Sequence, residues 1–521
     1  VRRSSSGYTV GAKSFRSPNH KRMPQKPHII DYEPVMRKSP GGDEGEADIE
    51  GWSGRSLPDA GILRPRVDRK PEQRQVASPV AATSKQQLEV TLKRGHGAAF
   101  AGLFLFTIIV YFRPYELVSW LSWATSMAFF VAILTLIVYL PTQFGLEGSF
   151  TARPREVNLV LLLLLTGALS IPVAFDKSVA FNGFNEFLKV VVMFIVMINV
   201  VRTDKRLKAM LLLALITSCV VSAFAINDYR MGRFLHDLSF NRIRGTLGNL
   251  FDNPNDLALH LVTMVPLAIG LFLASRGGLK KLFFAGCAIL ISVGVIVTFS
   301  RGGFVGIICV AAMLAWRLAK SNKFLIATGL PIALLLFFLL APSGYKSRIA
   351  STTDDSGVQR REELKRSLFI AIHHPLFGVG MANYILYSDV NHASHNAYTQ
   401  VASEMGIPAL VFYVLFLITP LKRLRRIGRE TSATRKTSQY YYLAVGLEAS
   451  LIGYMVSSFF LSVAYLWYLY YLVGYAIALD RLYQSGTESE KGEELGNATV
   501  TERGLRQSMA SGLESARSVP Q

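Results

Sequence analysis

In the segment Ser394-His395-Asn396-Ala397-Tyr398, the imidazole of His395 is the group suited to general-base work near neutral pH. Taken alone, a loop histidine is more often a solvated or structural group than a catalytic one. His373, His374 and His392 lie close in sequence, but no carboxylate or cysteine spacing beside them makes a metal site. A second candidate is Phe299-Ser300-Arg301-Gly302-Gly303, squeezed between two apolar runs. An arginine costs about 2.5–3.5 kcal/mol to place at mid-membrane and less near the interface. Arg301 can snorkel to lipid headgroups, or its planar fork can hold a phosphate. The glycines beside it would expose backbone N–H groups at a helix start, where anions also bind. A third candidate is Arg242-Ile243-Arg244-Gly245-Thr246-Leu247-Gly248, followed by Asn253-Pro254-Asn255-Asp256. Asn253 or Asn255 would cap a helix with proline in its first turn. Capping does not require Arg242 and Arg244, which suggest an anionic ligand.

The elements that must position these residues are long and apolar. Half of the 521 residues are hydrophobic, and runs of roughly 20 apolar residues follow one another from about Ala98 to about Leu479. The strands of a membrane barrel would be shorter and would alternate apolar with polar residues. The expected fold is therefore all-α: a polytopic integral membrane protein of about twelve transmembrane helices. They fall near 97–112, 117–140, 157–175, 184–201, 207–226, 255–274, 281–299, 302–318, 323–341, 406–420, 440–461 and 464–480.

The net charge of +20 does not form one basic patch interleaved with aromatics, so nucleic acid is excluded as the partner. Instead the cations occupy the N-terminal tail and alternate loops: Arg153/Arg155, Arg202/Lys205/Arg206, Arg276/Lys280/Lys281, Arg317/Lys320/Lys323, and Lys422 through Lys436. Such loops are cytoplasmic by the positive-inside rule. That places both tails in the cytoplasm and a long structured periplasmic loop, 342–405, between the ninth and tenth spans. Within it, Ser356 to Ile372 reads as a helix stopped by Pro375, and Gly378-Val379-Gly380 as a turn allowing close backbone approach. The domain organisation expected is a basic disordered tail (1–95), the membrane domain (96–482) and a second disordered tail (483–521). Cys219, Cys287 and Cys309 fall inside spans as small packing residues.

Three pieces together resemble the O-antigen ligase and O-antigen polymerase superfamily of bacterial envelope glycan enzymes: RIRGTLGNLFDNPNDLALHLVTMVPLA (242–268), TFSRGGFVG (298–306), and the stretch 373–412 that holds SHNAY. The resemblance covers the membrane domain. It implies a metal-independent inverting glycosyltransferase of the bacterial inner membrane, with no cofactor. The donor would be a glycan on undecaprenyl diphosphate, and the acceptor a glycan or the lipid A-core of lipopolysaccharide. By the same resemblance Arg244 and Arg301 would bind the diphosphate, and His395 would activate the acceptor hydroxyl. Arg242, Asn396 and Glu404 are second-tier candidates. A ligase and a polymerase would use the same residues, so that choice stays open, as does a protein acceptor. A small-anion transporter is the alternative from another class. His260 and Glu448, both inside spans, are the residues to inspect for it, although no internal repeat is evident.

Overall fold

The computed structural model describes residues 95–113, 126–235, 242–243, 251, 253–318, 355–388, 393–434 and 438–488. The expected ninth span at 323–341, most of both expected tails, and Arg244 lie outside the described residues.

The described chain is helical apart from one two-residue antiparallel pairing. In order come α1 (Gly97–Phe112), α2 (Met127–Glu147), α3 (Arg155–Ser170), α4 (Lys177–Val200) and α5 (Asp204–Arg230). The pairing of β1 (Phe234–Leu235) with β2 (Arg242–Ile243) follows, then α6 (Pro254–Ala274), α7 (Gly278–Val297) and α8 (Arg301–Leu318). Next are α9 (Asp355–His373), α10 (Tyr384–Tyr387), α11 (Ala397–Met405), α12 (Ile407–Glu430) and α13 (Gln439–Ser457). A short 3-10 turn at Ser458–Phe460 leads to α14, residues 467–488.

Among the described residues, eight helices are long and apolar enough to cross a membrane: α2, α4, α5, α6, α7, α8, α12 and α13, the last with its 3-10 extension. α1 is shorter, and α3 has 16 residues, about one turn short of the hydrocarbon thickness. Side-chain placement agrees with a bilayer as solvent. α2 turns Phe129, Phe130, Leu134 and Ile137 outward, a surface that water would penalise and lipid tails cover. α6 is buried along nearly its whole length, packed on α7, α8 and α13 at the centre of the bundle.

Helix starts follow from local chemistry. Asp176 caps α4, its carboxylate accepting the N–H groups of Ser178 and Val179, so this helix begins seven residues before the expected span at 184. Asn253 caps α6, accepting the Asn255 N–H, with Pro254 in the first turn as expected.

One expectation is overturned. Lys422 through Lys436 read as a loop after a span ending at 420, yet α12 continues to Glu430. The extra turns are held by acids buried on neighbouring helices. Arg423 bonds Glu156 of α3 at 2.6 Å and Asp480 of α14 at 2.6 Å, and Arg426 reaches Asp480 at 2.5 Å. Glu448 of α13 accepts from Arg317 at 2.6 Å and from Arg425 at 2.8 Å. Arg202 pairs with Glu147 at the same end. These carboxylates are almost fully buried apart from Glu147, so each needs its arginine. Glu448 therefore has a structural role, as a locked ion pair at the basic helix ends. His260 is enclosed by the rings of Tyr111, Phe251 and Tyr468, and its Nε2 lies 3.0 Å from Ser218 Oγ.

Candidate functional site

The link between α7 and α8 is three residues long, Thr298 to Ser300, with Phe299 in the left-handed region at φ 54°. Ser300 starts α8: its carbonyl accepts the Phe304 N–H, and its Oγ accepts the Gly303 N–H at 3.2 Å. The same hydroxyl donates to Asn255 Oδ1 at 2.9 Å, which ties the start of α8 to the start of α6. Two of the three motifs are thus joined through one buried hydroxyl–amide bond. Arg301 follows as the first residue of α8, half-buried.

The glycines after Arg301 do not present open amides as expected. Gly302 and Gly303 are buried, and the Gly303 N–H is taken by Ser300. A Cβ on Gly303 would sit 2.7 Å from the Cβ of Ala258, so glycine here lets α8 lie against α6. Arg301 thereby gains a fixed backbone.

Upstream of α6, β2 holds the backbone of Arg242 opposite Leu235, and Ile243 is buried. Arg244 comes next in the chain, outside the described residues.

The stretch before α12 is organised around Glu363, Asn383 and Glu404. α9 agrees with the helix expected over 356–372. Buried Glu363 on it accepts from Tyr384 Oη at 2.5 Å and from Ser388 Oγ at 2.8 Å. Asn383 grips the α3–α4 turn, accepting the Asp176 N–H at 2.7 Å and donating to the Asp176 carbonyl at 3.1 Å. The Gly378-Val379-Gly380 turn approaches a neighbour: Val379 and Gly380 donate to the carbonyls of Ser403 and Glu404. Gly378 has φ 65°, and a Cβ there would come within 2.3 Å of Glu404 backbone. Only glycine fits.

His395 is held half-buried at φ 52°, an uncommon conformation for a residue with a Cβ. Backbone strain of this kind collects at functional positions. The conformation is imposed from both sides. Ser394 Oγ lies 3.0 Å from Ser462 Oγ and donates to the Asn396 carbonyl at 3.1 Å. Asn396 caps α11, its Oδ1 accepting the N–H groups of Tyr398 and Thr399 at 2.9 and 3.1 Å. Asn396 is occupied as a cap, which aims its neighbour His395. Glu404, two turns along α11, is buried and accepts from Tyr465 Oη at 2.9 Å. Burial raises its carboxyl to about 7, against the opposing hydrogen bonds from Tyr465, the Ala382 and Tyr384 amides and Gln400.

Both His395 and Arg301 are referred to one element, the turn 458–466 between α13 and α14. Ser462 meets Ser394 on one side, and Tyr398 Oη donates to Met455 at 2.9 Å just before the turn. On the other side a Cβ on Gly302 would lie 3.1 Å from the Phe460 Cβ, and Ser457 Oγ donates to the Gly302 carbonyl at 3.5 Å. Sequence reading missed Ser300, Asn255 as a cross-link, and Tyr465. For Asn255 the second asparagine of Asn-Pro-Asn was a visible signal, whereas Tyr465 gave none.

The eight long apolar helices, packed through buried polar links and lipid-ready outer faces, define a polytopic α-helical integral membrane protein. Residues 286–414 match the family model described as O-Antigen ligase, which supports the resemblance to the O-antigen ligase superfamily. The matched stretch includes Arg301, His395 and Glu404. The match supports an O-antigen ligase- or polymerase-like function in general, that of a membrane enzyme processing glycans, with polyprenyl-linked glycan and acceptor as the class of substrate. No curated protein matches the chain.

Proposed function

We propose that this protein transfers a glycan from an undecaprenyl-diphosphate-linked donor to an acceptor hydroxyl at the periplasmic face of the bacterial inner membrane. It acts as an O-antigen ligase in lipopolysaccharide or exopolysaccharide assembly. The observation that carries the reading is that Arg301, the first residue of α8, and His395, just before the cap of α11, lie 94 positions apart in sequence on segments that abut the same turn at 458–466. A cation and a base are thereby offered at one end of the bundle.

In this reading Arg301 and Arg244 hold the diphosphate. Charge develops there as the anomeric C–O bond breaks, and fixed guanidinium groups stabilise it most at that moment. His395 takes the proton from the acceptor hydroxyl, whose oxygen attacks the anomeric carbon from the face opposite the diphosphate, so the configuration inverts. No metal is required, because the arginines supply the positive charge. Asn396 and Glu404 act behind His395, fixing α11, and Arg242 leads the chain towards Arg244. The full membrane domain would have about twelve spans, with 342–405 as the periplasmic loop and both tails in the cytoplasm.

Purified protein, given a lipid-linked oligosaccharide and an acceptor, is expected to release undecaprenyl diphosphate. His395→Ala abolishes release while thermal unfolding is unchanged. Normal transfer by the alanine variant would remove the histidine from its role, and anion transport in liposomes without glycan turnover would end the enzyme reading. Orientation is tested separately by Lys365→Cys, whose side chain is 74% exposed on α9. It should react with an impermeant maleimide in intact spheroplasts, and reaction only after lysis would reverse the topology.

A further inference from the structure

We infer that a groove at the basic end of the bundle, opposite the end that bears Arg301 and His395, binds an anionic phospholipid. The groove, open on one side, offers about 1770 Å³ between α5, α6, α7, α12, α13 and α14. That exceeds the roughly 300–1,000 Å³ typical of a small-molecule pocket. Its wall is apolar: Leu212 and Ile216 of α5, Leu271 of α6, and Phe283 and Phe284 of α7. Its rim carries Lys208, Arg276, Lys280 and Lys281, against one lining carboxylate, Glu430. Lys208 is held at the rim by donating to Gln439 Oε1 of α13 at 2.7 Å. Tyr440 and Tyr483 line the same edge with ring centroids 5.8 Å apart, and tyrosines of this kind mark the headgroup level of a bilayer.

Charge and shape together select the occupant. An anionic phosphodiester headgroup meets the positive field of this rim, and its acyl chains cover the leucine and phenylalanine wall. That wall continues outward over Leu279 and Leu282, 83% and 71% exposed, where bulk lipid takes over. Basic pockets between membrane helices recognise anionic headgroups by this combination. An own-chain occupant is conceivable by charge alone, since Glu490, Glu493 and Glu494 follow α14, whose Gly486 and Thr487 line the groove. That peptide has no apolar run to cover the wall, so it fits only half of the site.

Native mass spectrometry of the full-length protein, titrated with phosphatidylglycerol or phosphatidylcholine, tests the site without any glycan substrate. Its result is therefore independent of the transfer reaction. Phosphatidylglycerol adducts should persist and phosphatidylcholine adducts should not. The variant Arg276→Gln/Lys280→Gln/Lys281→Gln should bind phosphatidylglycerol about a hundredfold more weakly, roughly five-fold per cation. Lys280→Arg/Lys281→Arg should bind normally, which guards against misfolding as the cause. The control Arg153→Gln/Arg155→Gln, outside the groove, should bind as the parent does. Equal binding of both lipids, or undiminished phosphatidylglycerol binding by the triple variant, would overturn the site. So would a gain in lipid binding of tenfold or more when the chain is cut after 488, because the acidic tail would then be the natural occupant.

Discussion

The protonation of Glu404 offers the sharpest physical test of how the His395 helix is held. Its carboxyl sits at about 7 in the folded chain and would return to 4.5 on exposure, the shift being driven by burial. The folded state therefore keeps a proton that the opened state releases, so opening becomes easier as pH rises between these values. Each unit is worth about 1.4 kcal/mol, which sets a ceiling of about 3 kcal/mol across the whole titration. Between pH 5 and 7.5 the two curves give about 2 kcal/mol, on the order of 30-fold in the opening constant of α11. Hydrogen–deuterium exchange on amides 397–406, corrected for the intrinsic pH dependence of exchange, reads this directly. Protection should fall by about that factor over the range in the parent protein. In Glu404→Gln, which keeps the shape and an acceptor for Tyr465, it should stay flat. A flat profile in the parent, or the same slope in both proteins, would refute the claim that this carboxyl is held protonated by burial.

Two further perturbations address the supports of the site. Gly303→Ala pushes a methyl group against Ala258 and should lower stability by about 1–3 kcal/mol in detergent melts, whereas Gly97→Ala, with open space around it, should cost nothing. Arg423→Ala strands the carboxylate of Glu156, while Asp480 keeps Arg426, and should cost about 3–5 kcal/mol in the same assay, with Glu156→Gln recovering much of the loss.

The reason these supports matter is mechanical. His395 sits in a left-handed conformation between two hydrogen-bonded neighbours, Ser394 and Asn396. Arg301 is the first helical residue after a three-residue link locked by Ser300. Each candidate side chain thus rises from backbone with little freedom, the condition under which a few charged groups can stabilise a transition state without reorganising.

Much was legible in the linear chain. Apolar runs of span length announced a helical membrane bundle, because an unpaired backbone is intolerable in lipid and only length and polarity need be read. The Asn-Pro start of α6, the helix over 355–373 and the glycine turn at 378–380 were also local, each determined by side chains within a few residues. Tertiary structure alone decided the remainder. The basic stretch at 422–429 looked like a loop by its charge, and the structure carries it as helix beside buried carboxylates far away in sequence, Glu156, Glu448 and Asp480. The glycines after Arg301 looked like an anion cradle, and the approach of Ala258 and Phe460 made them packing residues. The turn 458–466, which brings the Arg301 and His395 helices to one level, carries no motif at all. Its role comes from Phe460, Ser462 and Tyr465 meeting partners up to 160 residues distant, and such long-range pairing leaves no local mark on the sequence.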